Sequence, residues 1–166
     1  MKQAVRLVYA PNSIFRKKAT PVNSVNAEVR NIVDSMFGIM YEHGAVGLGA
    51  NMVGVLQRIA VVDLQKNGAK QPYVFINPKI VFSSTETQTF EEGSLSYPGI
   101  KADITRPGKI ELEYLDYEGK PQVLTASGWF ATVIQHELDY LNGKVFLDYL
   151  SPLKRNFLLK KSGMYK

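Results

Sequence analysis

The chain has 166 residues, 45% of them hydrophobic and 21% charged, the composition of an ordinary globular protein rather than a disordered or fibrous one. One domain over residues 1–166 is expected, long enough to bury a real core. The net charge is +5 and the isoelectric point near 9.3, a balance that favours polyanionic partners. Cysteine is absent, which excludes disulfides, thiolate-bound metal and a cysteine nucleophile. No apolar run approaches the ~20 residues of a membrane span, and Met1 to Phe15 lacks the continuous apolar core of a signal peptide. A cytoplasmic location is the expectation, with an organelle matrix as the other option.

Val29, Ile32, Val33, Met36, Phe37 and Met40 recur at steps of three and four and predict a helix over Asn26 to Tyr41, capped by Asn23 or Ser24. Gln57 to Leu64 and Tyr73 to Phe82 are rich in β-branched and aromatic residues and predict strands. Lys109 to Ala126 predicts a hairpin, with Ile110, Leu112 and Tyr114 alternating with Glu111 and Glu113 and a turn at Glu118-Gly119. A second helix is expected from about Ser127 to Leu141, ended by Asn142-Gly143, with Phe130, Val133, Ile134, Leu138 and Leu141 as its apolar face. A third starts at Ser151-Pro152, cap followed by first-turn proline, with Leu153, Phe157 and Leu158 apolar and lysines opposite. Strands lying between an early helix and two late ones indicate an α+β fold.

Within the second helix stands His136-Glu137-Leu138-Asp139-Tyr140. Residues i and i+4 of a helix lie on one face. When both are histidine they chelate zinc while the intervening Glu moves protons. Here the second position is Tyr140, whose phenol pKa near 10 makes it a poor ligand at neutral pH. By itself the segment is also what a helix with a chance His-Glu pair would show.

The flanks add to it. Val46-Gly47-Leu48-Gly49-Ala50-Asn51-Met52 resembles GxGLAAxQ, Glu92-Gly93-Ser94-Leu95-Ser96 resembles EGCLS, and Gln135 to Tyr140 with Leu141-Asn142-Gly143 resembles QHExDHLNG. These are the three motifs of peptide deformylases, in their order and spacing. Tyr9-Ala10-Pro11 through Pro21-Val22 is similar to the family's opening and Phe146 to Arg155 to its close, so the resemblance covers nearly the whole chain. It implies the deformylase fold, antiparallel sheets around a central HExxH-type helix with a C-terminal helix.

The chemistry it implies is a divalent metal, iron(II) or in some preparations zinc or nickel, held by one cysteine and two histidines. The bound water attacks the N-formyl group of a nascent peptide. A glutamate relays the proton, while a glutamine and a backbone N–H hold the oxyanion. Transferred position by position, the cysteine ligand becomes Ser94, the first histidine stays as His136 and the second becomes Tyr140. The oxyanion glutamine becomes Met52, which donates no hydrogen bond. Leu95 keeps the backbone donor and Glu137 is the retained general base. Motif one's first glycine is Ala45 and its first alanine Gly49, and the arginine after motif two becomes Lys101, which loses the bidentate fork. The resemblance places Val46, Gly47, Tyr97 and Lys101 along the peptide groove.

Losing partners one step removed from a metal already costs 10–100-fold in affinity, and removing one oxyanion donor costs ~10²–10³ in rate. Two lost ligands and a lost donor therefore predict a protein without metal-dependent deformylase activity and with no cofactor. The readings set beside it are a weakly active deformylase holding iron or zinc, and an enzyme of altered chemistry that either keeps a metal, with Tyr140, His43 or an outside ligand completing the shell around His136, or uses Ser94 as nucleophile and His136 as base. The basic C-terminal residues Lys154, Arg155, Lys160, Lys161 and Lys166 read as a solvated helix face or as a contact for the ribosome or nascent-peptide N-termini. Neither membrane nor DNA is expected as a partner. Three further residues have plain expectations: an exposed helix end for His43, core packing for Trp129 with a place in the substrate pocket as its other reading, and an ion pair or surface charge for Arg106. Tyr97-Pro98-Gly99 reads as a turn beside the groove.

Overall fold

The computed structural model describes residues 5–163. Helix α1 (Ala27–Glu42) forms because its apolar stripe, Val29, Ile32, Val33, Met36 and Met40, is buried along one face. Its cap is Asn26, whose side chain accepts from the Val29 N–H at 3.0 Å, rather than Asn23 or Ser24. The central sheet takes strands β1 (Gly47–Gly49), β2 (Ile59–Val62) and β3 (Tyr73–Ser83). A separate ladder of β4 (Thr87–Ser94) and β5 (Tyr97–Pro107) follows, and β6 (Lys109–Leu115) and β7 (Pro121–Ser127) then complete the central sheet. Helix α2 (Gly128–Leu141) and the C-terminal helix α3 (Pro152–Lys161) close the chain.

The five-stranded sheet runs β1-β2-β3-β6-β7 and every pairing is antiparallel. Strand β2 reads Ile-Ala-Val-Val and is buried on both faces, since α1 and α2 both pack against it. Helix α2 also touches β4 and β5, so it lies between the five-stranded sheet and the two-stranded ladder. That position explains its burial: Ala131 to Leu138 are all buried, the polar Gln135, His136 and Glu137 among them. The α+β expectation and the central helix are found as predicted.

Two local expectations are corrected, and one pair of strands was not predicted. The ladder of β4 and β5 is absent from the sequence reading, because Thr-Gln-Thr-Phe-Glu-Glu offers little apolar alternation. Tyr97-Pro98-Gly99 is not a turn: Tyr97 opens β5, pairs with Ser94, and leaves Leu95-Ser96 as the reversal. On α3, Leu153 and Phe157 are exposed at 83% and 62%, and the buried residue is Leu159. The cap and proline there are as expected, with Ser151 Oγ accepting from the Lys154 N–H at 3.2 Å. Among the described residues no helix is long and apolar enough to cross a membrane.

Candidate functional site

Two glycines of β1 set the approach of the sheet to α2. A Cβ on Gly47 would lie 3.0 Å from the side chain of Glu137, and one on Gly49 would lie 3.4 Å from that of Tyr140. Only a bare backbone lets α2 come this close. The 3₁₀ turn that follows, Ala50–Val53, is pinned to the helix by Asn51, whose side-chain amide donates to the Tyr140 carbonyl at 2.7 Å. On the opposite side, alternation along β5 points Ala102, Ile104 and Arg106 inward. An inward arginine needs partners, and it finds them.

Arg106 donates twice to Glu92, from Nε at 2.7 Å and from a terminal nitrogen at 2.9 Å, and its other nitrogen reaches Asp139 at 2.8 Å. Tyr149 donates to the same Asp139 oxygen at 2.8 Å. His136 Nδ1 lies 2.8 Å from Glu92 Oε1. Burial alone would raise the Glu92 pKa, but hydrogen bonds from His136 and Arg106 outweigh it and hold the carboxyl below its ordinary range. Glu92 is therefore the acceptor and His136 Nδ1 the donor. Arg106 is thus the ion-pair partner of its two expected readings, and it ties the ladder to α2.

The second half of the site differs. Ser94 Oγ and Tyr140 Oη share a hydrogen bond of 2.6 Å, and the Ser96 N–H donates to Ser94 Oγ at 3.3 Å. Tyr140 is fully buried, packed edge-on against Phe15, and burial pushes its phenol pKa well above the ordinary value despite the bond to Ser94. It stays a neutral phenol. Met52 is buried, and its Sδ accepts from the Gly49 N–H at 3.4 Å, folding back over its own turn. Glu137 stands 4.0 Å from His136 Nε2 through Oε1, while Oε2 is buried without a hydrogen-bond partner. Burial raises its pKa to about 7, with the neighbouring Glu92 charge adding to the rise and His136 opposing it.

These groups face an open cleft of about 410 Å³. The expected groove residues Val46, Gly47, Tyr97 and Lys101 all line it, as do Met52, Ser94, Leu95, His136 and Glu137. Tyr140 does not; it sits behind Ser94. Trp129 corrects the expectation of core packing and takes its other reading: it lines the cleft, 37% exposed, with its ring 5.4 Å from Phe90. His43 ends α1, exposed, and lies outside this lining. Sequence reasoning assigned no role to Glu92 or Asp139, although both stand inside quoted motifs.

The donor set does not fit a divalent metal. Of the three positions carried over as ligands, one is an imidazole and the other two are hydroxyls bonded to each other. Among the described residues no group of three or more His, Cys, Asp or Glu side chains is placed to hold an ion. Nor does any hydrogen bond among them join Ser94 to His136, since Ser94 turns to Tyr140 and His136 to Glu92.

Comparison with known proteins bears on the fold and the motifs. The sequence profile described as Polypeptide deformylase matches residues 4–156. A protein of Rickettsia conorii named peptide deformylase-like is 58% identical over 160 residues, covering 96% of this chain and 87% of that protein. The peptide deformylase of Rhizobium meliloti is 45% identical over 156 residues, covering 93% and 90%. Among solved structures, peptide deformylase from Ehrlichia chaffeensis in complex with actinonin superposes with a TM-score of 0.89 at 41% identity, covering 95% of this chain and 94% of that one. Profile, relatives and fold concur, and the chain belongs to the peptide deformylase family.

Proposed function

We propose that this chain is a non-catalytic member of the family: it has no metal-dependent deformylase activity and keeps its cleft for the N-terminal segments of nascent chains. The observation that carries this reading is the 2.6 Å hydrogen bond between Ser94 and Tyr140. It satisfies the two hydroxyls that replace ligands with each other, and the high phenol pKa of Tyr140 keeps the pair protonated and uncharged. The loss of the oxyanion donor at Met52 and the name of the Rickettsia relative point the same way. The open cleft and its retained walls support peptide binding.

The second reading is a weakly active deformylase, favoured by Glu137 facing the cleft and by relatives such as those of Rhizobium meliloti and Brucella suis that are named peptide deformylase. Hydrolysis of a formyl-methionyl peptide by protein purified without oxygen separates the two. No formate release above the buffer rate is expected; turnover that a chelator abolishes would establish the second reading. For partners, α3 offers Lys154, Lys160 and Lys161 beside exposed Leu153 and Phe157, which supports a ribosomal contact. Reversing the charges at Lys160 and Lys161 should reduce co-sedimentation with ribosomes, and unchanged sedimentation counts against the contact.

A further inference from the structure

A second cavity, of about 330 Å³, shares no lining residue with the cleft. It is bounded by the loop from Leu64 to Gln71, by Tyr73 at the start of β3 and by Phe130 in the first turn of α2. One buried carboxylate holds that loop in shape. Asp63 Oδ1 accepts from the Gln65 and Gln71 N–H groups, both at 3.0 Å, and Oδ2 accepts from the Tyr41 hydroxyl at 2.5 Å. Between those anchors Gln65 and Asn67 stand at φ +52° and +55°, a left-handed backbone that residues other than glycine adopt only at a cost. A rim already ordered leaves a ligand less freedom to remove on binding.

Wall and rim differ in chemistry. Tyr73 and Phe130, half-buried with ring centroids 4.9 Å apart, form an aromatic wall beside Leu64. Lys66 and Lys70 stand exposed at the rim, the Lys70 ammonium placed 4.3 Å from the centre of the Tyr41 ring. No Asp or Glu lines the cavity, and Asp63 is buried with its three hydrogen bonds already made. Gln65 and Gln71 spend their amide N–H groups on Ala45, Asp63 and Tyr73, which leaves each Oε1 without a partner among the described residues. From this arrangement we infer that the cavity binds a purine nucleoside monophosphate, its base against Tyr73 and Phe130 and its phosphate at Lys66 and Lys70. A purine has the broad ring face that an aromatic wall stacks on, and its N–H groups meet the glutamine acceptors. The phosphate brings close to two negative charges at neutral pH, which two lysines balance. A strand of RNA needs a longer cationic groove than this closed loop offers, so the occupant is a free nucleotide. The inference is independent of what the cleft binds.

The test is titration calorimetry of the full chain with adenosine and guanosine monophosphates, set against adenosine, inorganic phosphate and an oligoadenylate. The better monophosphate should bind at least ~10-fold tighter than adenosine or phosphate, since neither of those engages wall and rim together. Replacing both rim lysines, Lys66→Glu with Lys70→Glu, should weaken the monophosphate ~10-fold or more and move adenosine less than about twofold. Phe130→Leu should weaken monophosphate and adenosine alike by ~5-fold or more, as expected from the loss of a stacking ring. The lysine pair lies on an exposed loop and decides the matter should Phe130→Leu fail to fold. A monophosphate that binds no tighter than phosphate, or no binding of either monophosphate at millimolar concentration, overturns the inference. An oligoadenylate that binds more than ~10-fold tighter than the monophosphate overturns the assignment to a free nucleotide and points to an RNA strand instead.

Discussion

The two halves of this site have fared differently. On one side, Glu92, Arg106, Asp139 and His136 form a closed network in which the Arg106 donors meet carboxylates at 2.7 to 2.9 Å. On the other, Ser94, Met52 and Tyr140 stand at positions where the family motifs carry cysteine, glutamine and histidine, and Glu137 has a buried oxygen with no partner. The first half braces α2 against the ladder of β4 and β5. The second would have to perform the chemistry. Their divergence teaches that a fold protects the charges it buries, because an unpaired buried charge costs stability directly, whereas a ligand position tolerates any side chain that satisfies itself.

The largest expected effect breaks the bracing half. Arg106→Met leaves Glu92 buried with only His136 beside it and should cost about 3–5 kcal/mol in chemical denaturation. A loss below about 1 kcal/mol would mean that the network is dispensable.

Next comes Glu137, whose pKa rises from an ordinary 4.5 to about 7 in the folded chain. Its folded form holds a proton that the unfolded form has lost between those values. Its contribution is therefore fully present below pH 4.5 and fades as pH climbs through 7, by on the order of 3 kcal/mol. Glu137→Gln should remove that part of the slope and be the more stable protein above pH 7. Glu92 works in the opposite sense, since its depressed pKa means stability lost as pH falls through the folded value. Denaturation midpoints of wild type and Glu137→Gln from pH 4 to 8 check the sign.

Tyr140→Phe removes one hydroxyl from the Ser94 pair and leaves Ser94 accepting from the Ser96 N–H, for a cost of about 1 kcal/mol. A cost several times larger would mean that the pair holds the second half together as the Arg106 network holds the first. The smallest change belongs outside both halves: His43→Ala, at an exposed helix end, should shift stability by no more than about 0.5 kcal/mol and leave peptide binding unchanged.

Much of this was legible in the sequence, and the reasons are local. The helices α1 and α2 announce themselves through apolar spacing, and the position of each motif fixes Ser94, Met52, His136 and Tyr140 by comparison. What spacing cannot give is which side chain turns to which. Ser94 and Tyr140 lie 46 residues apart, and their contact depends on where the reversal at Leu95-Ser96 meets the end of α2. Arg106 read equally well as a surface charge, because its inward direction follows from the register of a ladder whose polar strand β4 looks like loop. Helix α3 misled for the opposite reason: its apolar residues look like a packing face, yet Leu153 and Phe157 point outward and the single buried residue is Leu159.

The proposed reading is that the substitutions at Ser94, Met52 and Tyr140 leave the second half without a metal while the first half keeps the frame. Metal content of anaerobically purified wild type, set against the triple variant Ser94→Cys, Met52→Gln and Tyr140→His, tests it directly. The account predicts far less than one equivalent of transition metal in the wild type and close to one in the variant, at equal folded stability. One tightly held equivalent in the wild type would contradict it.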